Sequence, residues 1–248
     1  MTDPLGPLLD LPGVADAVRT ARDAVDAVHQ HPANRRGWPA TAAEASVRAA
    51  RASTFLDGGD TDIPERGPVR DPVLAGALRV SESIGPLLPV WQRAPLQALA
   101  KLHLLAAADL VGEADDSRLG RPRTERGVAG RLDLLASLVA GGTSVPGAVL
   151  VAVVHGELLT LAPFGTADGV VARAAGRLTM IGTGLDAKGL VVPEVAFMRR
   201  QEEYRAAADG FATGRPAGVR DWLLLCCDAI QVGAREATGI ADAAIAPS

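Results

Sequence analysis

Aromatic residues are scarce in this chain. Phe, Trp and Tyr together make up 3% of its 248 residues, whereas hydrophobic residues make up 48%. Because so few large rings are available, the core has to be built mainly from Ala, Leu and Val. Ala and Leu favour helices, and no stretch alternates apolar and polar residues as a half-buried strand does. The sequence therefore predicts an all-α protein, with one large domain or two small ones.

Cysteine, net positive charge and long apolar runs are also lacking. Cys226 and Cys227 are the only cysteines, and neighbours on a helix point about 100° apart, so we interpret them as two small apolar residues. The net charge of −4 argues against a nucleic-acid partner. The run Val145–Val154 is too short to span a bilayer, and the first residues lack a signal-peptide pattern. We expect a cytoplasmic protein with no membrane partner.

The most informative stretch is a sharp turn between two apolar helical patterns. The first pattern, Val145–Leu161, is apolar almost all round, which predicts a buried central helix. The second, Gly169–Gly182, carries Arg173 and Arg177 one turn apart. Asp168 is a good N-cap for the second helix. A tight loop that leads into a helix N-terminus is a natural anion-binding site.

The stretch Leu161–Arg173 resembles the signature of Fic-domain proteins, His-Pro-Phe-x-Asp/Glu-Gly-Asn-Gly-Arg-x-x-Arg, and the wider resemblance covers Ala94–Glu236. Four residues stand where the signature requires them: Pro163, Phe164, Gly169 and Arg173. The resemblance implies a Fic-like helical bundle. In active Fic proteins the motif His is the general base, the acid holds magnesium, the loop amides bind phosphate, and the two Arg bind the outer phosphates. The usual reaction moves AMP from ATP to a protein hydroxyl.

The positions that carry this chemistry are replaced here. Ala162 stands where the catalytic His is required, Thr166 where the acid is required, Ala167 for the first Gly, Asp168 for the Asn and Val170 for the first Arg. Alanine cannot take a proton, and a positioned base contributes roughly 10²–10⁴-fold. Magnesium prefers carboxylates to a neutral hydroxyl. The sequence therefore predicts a nucleotide-site remnant with no catalytic residue and no metal ligand set.

The hexapeptide Ser53–Gly58 resembles the inhibitory motif of many Fic proteins, Ser/Thr-x-x-x-Glu-Gly/Asn. Ser53 and Gly58 match that motif, and Asp57 replaces its Glu. In the family the inhibitory Glu pairs with the second motif Arg, so the resemblance implies that Asp57 lies near Arg173. The alternative interpretation is an ordinary helix end stopped by glycine.

Caps and linkers suggest a division of the chain. We assign residues 1–70 to N-terminal helices, including an inhibitory-like helix over 41–58. A capping box at Thr41 predicts that this helix begins at Ala42. A linker with several Pro and Arg residues follows, and we assign residues 71–240 to a Fic-like helical core.

Prolines and a charged interval predict further boundaries. Pro86 and Pro89 are expected to break the chain, and Pro193 is expected to open one helix that ends near Gly210 or Gly214. The interval Gly112–Gly127 is polar and charged. In Fic domains a β-hairpin flap that docks the target lies here, so we expect a short hairpin or a mobile loop. The alternative is a solvated loop without a role.

The chain has four histidines. His103 and His155 are candidates for the groove beside the motif, because Fic sequences often carry a His at the corresponding places. The alternative for each is a buried structural histidine. We interpret His29 and His31 as solvated loop residues, not metal ligands.

Three hypotheses for function follow. The first is a catalytically inactive pseudoenzyme that needs no cofactor and binds an unknown protein or a second copy of itself. The second is a rewired nucleotidyl or phosphoryl transferase that uses ATP and magnesium. Its chemistry would have to come from four residues: Thr166, His103, His155 and Arg173. The third is a helical interaction module without a small ligand. Its binding surface would be an apolar stripe: Val14, Val18, Val25 and Val28.

Overall fold

The computed structural model describes residues 3–112 and 117–245. Those residues form helices and loops and contain no β-strand, which confirms the all-α prediction. A short 3-10 helix, Gly6–Asp10, precedes the first α-helix, and a π-helical turn, Leu138–Gly142, follows the sixth. The α-helices are α1 Val14–Gln30, α2 Pro32–Arg36, α3 Trp38–Leu56, α4 Pro72–Arg93, α5 Pro95–Ala107, α6 Val128–Ser137, α7 Gly147–Leu161, α8 Asp168–Gly182, α9 Pro193–Arg199, α10 Gln201–Ala212 and α11 Pro216–Ile245.

Helix α7 is the buried centre of the molecule, as its all-round apolar pattern predicts. Its Val149 and Val151 belong to a core cluster shared with α1 and α11. Its Val154 and Leu158 belong to a second cluster shared with α4, α5 and α8. Because α7 joins the two clusters, the turn at its C-terminal end is held from both sides.

The N-terminal apolar stripe is part of this core and is not a free surface. Val14 and Val25 are 0% exposed, and Val18 and Val28 are also buried. They pack in the cluster that contains Trp222 of α11. The hypothesis of an interaction module that binds through this stripe is therefore wrong, because the stripe already has its partner within the chain.

Pro86 and Pro89 do not break the chain, contrary to the prediction: α4 runs through both. Each proline removes one main-chain hydrogen bond, to the carbonyl four residues earlier. Both prolines lie on the exposed side of α4, as do Glu82 and Gly85, whose carbonyls lose those bonds. Water can solvate these carbonyls, while the opposite side of the helix is held by its buried residues.

Two other helix boundaries also differ from the prediction. Helix α3 begins at Trp38, and Thr41 lies within it, where its hydroxyl donates to Oδ1 of Asn34 at 2.7 Å and does not cap the helix. The segment after Pro193 is two helices, because Arg200 leaves the helical conformation at φ −126° and ψ 48°. Helix α9 ends just before it, and α10 begins just after it.

The charged interval forms turns and irregular loop where it is described. Residues 117–127 contain no strand, so the hairpin expected there is wrong for this part of the interval. Residues 113–116 of the same prediction lie outside the described residues.

The sequence predicted that His29 and His31 are solvated loop residues, but both side chains are partly buried and have partners. His29 lies in α1, and its Nε2 is 2.7 Å from Oδ1 of the fully buried Asp186. His31 precedes α2, and its Nδ1 accepts the main-chain N–H of Ala33. Its Nε2 is 3.1 Å from Oδ1 of Asp242. Both rings therefore tie the N-terminal helices to distant parts of the chain.

One helix of the described part, α4, is long enough and apolar enough by composition to cross a membrane, with a mean hydropathy of 1.2. A core helix of a soluble protein meets the same criterion. A single helix of this kind is therefore weak evidence for a membrane span, and 33% of its apolar window is buried in this structure.

Candidate functional site

The turn between α7 and α8 is built on two alanines in the left-handed conformation. Ala162 has φ 44° and ends α7, and Ala167 has φ 52° and caps α8. Residues with a Cβ adopt this conformation at a cost, so surrounding contacts have to hold the turn. One such contact comes from Asp168, whose Oδ1 accepts the main-chain N–H of Phe164 at 2.9 Å.

Asp168 therefore does not act as the N-cap of α8, as the sequence predicted. It is the first helical residue, and its carboxylate points back into the loop. Burial raises the pKa of Asp168, while the loop amides of Phe164 and Gly165 and the charge of Arg123 lower it. The carboxylate thus occupies amides of the motif loop that lie at the anion-binding end of α8.

Asp57 reaches the N-terminus of α8 from the end of α3. Its Oδ1 lies 2.6 Å from Nη2 of Arg173, and its Oδ2 accepts the main-chain N–H of Val170 at 3.2 Å. The expected contact between Asp57 and Arg173 is therefore present. Gly169 allows this approach, because a Cβ at that position would collide with the Asp57 carboxylate. A carboxylate of the chain itself thus lies at the anion-binding end of the helix.

The inhibitory-like hexapeptide holds Arg173 with more than the carboxylate. The Nε atom of Arg173 donates to Oγ of Ser53 at 2.8 Å, and Nη2 donates to the Ser53 carbonyl at 3.1 Å. Gly58, at φ 79°, turns the chain after α3 and leaves Asp57 at the helix end. The side chain of Arg173 is 2% exposed and that of Asp57 is 22% exposed, so this ion pair is mostly withdrawn from water.

A series of polar side chains continues inward from Arg173. The Arg173 guanidinium lies near the Tyr204 hydroxyl, which is 2.8 Å from Nε2 of His155. Since a guanidinium can only donate, we assign the tyrosine O–H as the donor to His155. Burial and the charge of Arg173 lower the pKa of His155 to about 3, and burial raises the pKa of Tyr204 to about 12. His155 is therefore a neutral, buried acceptor.

The other groove candidate, His103, is also fully engaged. Its Nδ1 accepts the main-chain N–H of Gly120 at 2.9 Å, so its Nε2 carries the proton and faces Oγ1 of Thr166 at 3.1 Å. Its ring stacks on Phe164 with 4.2 Å between centroids. Burial lowers the pKa of His103. The ring therefore connects α5, the charged interval and the motif loop.

Sequence reasoning missed the role of Arg123. Its main-chain N–H donates to the carbonyl of Pro163 at 2.7 Å. Its guanidinium donates to the carbonyls of Ala162 and Leu161, at 2.9 and 3.0 Å. These contacts fasten the charged interval over the C-terminal end of α7, where cations are favoured. No sequence signal separates Arg123 from the other arginines of that interval.

The residues of the turn do not fit a magnesium–nucleotide complex. Thr166 offers one hydroxyl, which His103 already contacts. Val170, which replaces the first motif Arg, is 4% exposed and packs in the core. No group of three or more His, Cys, Asp or Glu side chains suited to a metal occurs within the described ranges. Phosphate-binding and metal-binding groups are therefore missing or already occupied by the chain.

Two grooves open on either side of the turn. The first, about 590 Å³, is lined by Asp57, Gly169, Arg173, Tyr204 and residues of α10. The second, about 530 Å³, lies between the charged interval and the motif loop from Phe164 to Thr166. The turn thus lies between a groove beside the inhibitory-like helix and a groove beside the charged interval.

Comparisons with known proteins define the fold. No family model matches the sequence, and no curated protein matches it. A Fic family protein from Desulfovibrio desulfuricans G20 superposes with a TM-score of 0.73 at 18% identity, over 92% of this chain and 74% of that one. The Fic-1 protein of C. elegans gives a TM-score of 0.70 at 16% identity, over 93% of this chain and 73% of that one. The chain therefore has a Fic-like helical fold.

Proposed function

We propose that this protein is a catalytically inactive Fic-fold protein that acts by binding another protein. The observation that supports the proposal most is the position of Asp57. One of its carboxylate oxygens pairs with Arg173, and the other accepts the Val170 N–H. A nucleotide phosphate would need the same guanidinium and the same helix N-terminus. The phosphate would therefore have to displace a carboxylate that the fold holds in place.

The absence of a usable base at the turn supports the same proposal. Ala162 offers only a methyl group at the position of the motif His. His103 uses both of its ring nitrogens, and His155 is 3% exposed and bonded to Tyr204. A residue must reach the proton that it abstracts, and none of these side chains is free to do so.

The groove beside the charged interval supports a binding role. In active Fic proteins the target docks against the flap in this region, and here a groove of about 530 Å³ remains next to Phe164 and Thr166. Arg121 and Arg123 line it, together with apolar atoms of Leu110. We propose that a segment of a partner protein occupies this groove without being modified.

An AMP-transfer assay tests the catalytic part of the proposal. The full chain is incubated with magnesium and ATP labelled on the α-phosphate, with an active Fic protein and its target as the positive control. We expect no label on any protein for the wild type or for Asp57→Ala. Labelling by Asp57→Ala alone would reveal a restrained enzyme and would contradict the proposal.

Site-specific photo-crosslinking tests the binding part. A photoreactive residue replaces Arg121, which is exposed and lines the groove, and in a matched control it replaces Glu65, which is exposed in the linker before α4. We expect a discrete protein adduct from the groove position only. The same adducts from both positions, or none from either, would contradict binding in this groove. An adduct of twice the chain mass would identify a homodimer.

The second candidate is a rewired nucleotidyl or phosphoryl transferase that uses ATP and magnesium. The observation that favours it is the groove of about 590 Å³, which borders Arg173 and Gly169. Its four candidate residues are not one catalytic group, because Thr166 pairs with His103 while His155 pairs with Tyr204. The AMP-transfer assay above separates nucleotidyl transfer from the first candidate, and the same assay with ATP labelled on the γ-phosphate separates phosphoryl transfer from it.

A further inference from the structure

A second cluster of charged side chains lies next to Arg173 in the interior. Arg177 follows Arg173 by one turn on α8, and Glu194 is the second residue of α9. Arg173 is 4% exposed, Arg177 is 6% exposed and Glu194 is 5% exposed. The Fic-like motif includes Arg173 but explains neither Arg177 nor Glu194.

Glu194 is only partly satisfied by the protein. Its Oε2 atom is buried and has no hydrogen-bond partner among the described residues. Arg177 is close enough for its charge to lower the pKa of Glu194, but its guanidinium donates to the carbonyls of Val191 and Gly189. A buried acceptor without a partner loses its hydration and gains no hydrogen bond in return, and the loss is larger if it is charged. No side chain or amide of residues 3–112 and 117–245 therefore donates to this oxygen.

Two small cavities are lined in part by Glu194. One is lined by His155, Arg173, Arg177, Glu194 and Cys226 together with apolar side chains. The other shares the two arginines and the glutamate and adds a serine hydroxyl of α3. Each has a volume of about 20 Å³.

The size and lining of the cavities select their occupant. A cavity needs at least about 10–15 Å³ to hold one water molecule, and the water needs two to four polar partners. About 20 Å³ is therefore enough for one water and too small for a phosphate or a hydrated metal ion. Guanidinium groups and a carboxylate in the wall supply the partners that an empty apolar cavity lacks.

We propose that Glu194 Oε2 accepts a hydrogen bond from an internal water molecule in one of these two cavities. The water also accepts from a guanidinium N–H of Arg173 or Arg177 and so bridges α8 to α9. Burial raises the pKa of Glu194, and Arg177 opposes this shift. A water that donates to the carboxylate acts in the same direction as Arg177, because it stabilises the charged form.

A crystal structure of the full wild-type chain, at a resolution that shows ordered water, tests the proposal directly. We expect a water oxygen at a hydrogen-bonding distance of about 2.7–3.2 Å from Glu194 Oε2. A dry cavity would overturn the proposal, as would a direct bond between Oε2 and an arginine.

Oxygen-17 relaxation dispersion in solution gives an independent test, because it counts long-lived internal waters. We expect Glu194→Met, which removes both carboxylate oxygens, to lose at least one long-lived water relative to the wild type. The control Glu202→Met changes an exposed glutamate of α10 and is expected to lose none. An unchanged count in Glu194→Met would overturn the proposal, and if that variant does not fold, the wild-type crystal structure decides.

Discussion

The ion pair between Asp57 and Arg173 makes a quantitative prediction about stability. Replacing Asp57 with Ala leaves a guanidinium that is 2% exposed without its counter-charge and frees the Val170 N–H. Breaking a fully buried pair costs about 3–5 kcal/mol. Asp57 is 22% exposed and Arg173 keeps its bonds to Ser53, so we expect a smaller loss, about 2 kcal/mol.

Thermal and urea unfolding measure this loss. A loss of about 2 kcal/mol in a chain of this size corresponds to a Tm lower by roughly 4–8 °C. The control Asp62→Ala removes an exposed carboxylate from the loop after α3, and its effect should stay within about 0.5 kcal/mol. Asp57→Asn keeps an acceptor for the Val170 N–H and should lose less than Asp57→Ala.

A double-mutant cycle tests the reasoning itself. Arg173→Met and Asp57→Ala are measured singly and together. Residues in direct contact show coupling energies of about 0.5–3 kcal/mol, and we expect a value above 1 kcal/mol. Additive effects, within about 0.3–0.5 kcal/mol, would refute the claim that Asp57 stabilises the structure through Arg173.

Three further predictions concern the rest of the fold. In urea unfolding, Gly76→Ala should lose more than about 1 kcal/mol of stability, because a Cβ at Gly76 would collide with a main-chain carbonyl of α5. The control Gly85→Ala on the same helix meets open space and should be neutral or stabilising. The buried His155 has a pKa of about 3, so between about pH 6.5 and 3 the unfolded histidine binds a proton that the folded one does not. As pH falls through this range, the free energy of unfolding of the wild type should therefore fall by up to about 1.4 kcal/mol per pH unit more than that of His155→Gln. Parallel curves of unfolding free energy against pH would contradict this. Arg131→Ala should lose about 0.2–1 kcal/mol, and less in high salt, since its bidentate pair with Glu157 is half exposed.

The features that sequence reasoning predicted correctly depend on short-range patterns. The apolar residues on all sides of α7 indicate a buried helix, because each of these sides has to pack against protein. Pro193 marks the start of a helix, α9, because the fixed backbone angle of proline suits the first helical position. The Asp57 contact followed from the resemblance of two motifs, not from a pattern in the residues themselves.

The features that sequence reasoning missed depend on how the helices pack and on the path of the backbone between them. Pro86 reads as a helix breaker, but the packing of α4 outweighs the lost hydrogen bond. Thr41 reads as a cap, but its hydroxyl has a partner in Asn34, seven residues earlier. Asp168 reads as an N-cap, but it bonds back to Phe164 because Ala167 takes the cap position. Asn34 and Phe164 are near in sequence, but the residue types alone do not select them, because the backbone path between the helices decides which groups meet.

Calorimetric titration of the wild-type chain with ATP and magnesium tests whether the chain occupies its own nucleotide site. Because Asp57, Asp168 and Val170 leave no place for the phosphates, we expect no binding stronger than a Kd of about 1 mM, or about −4 kcal/mol. A Kd well below that value for the wild type, with Asp57 intact, would contradict the claim that the chain occupies its own nucleotide site.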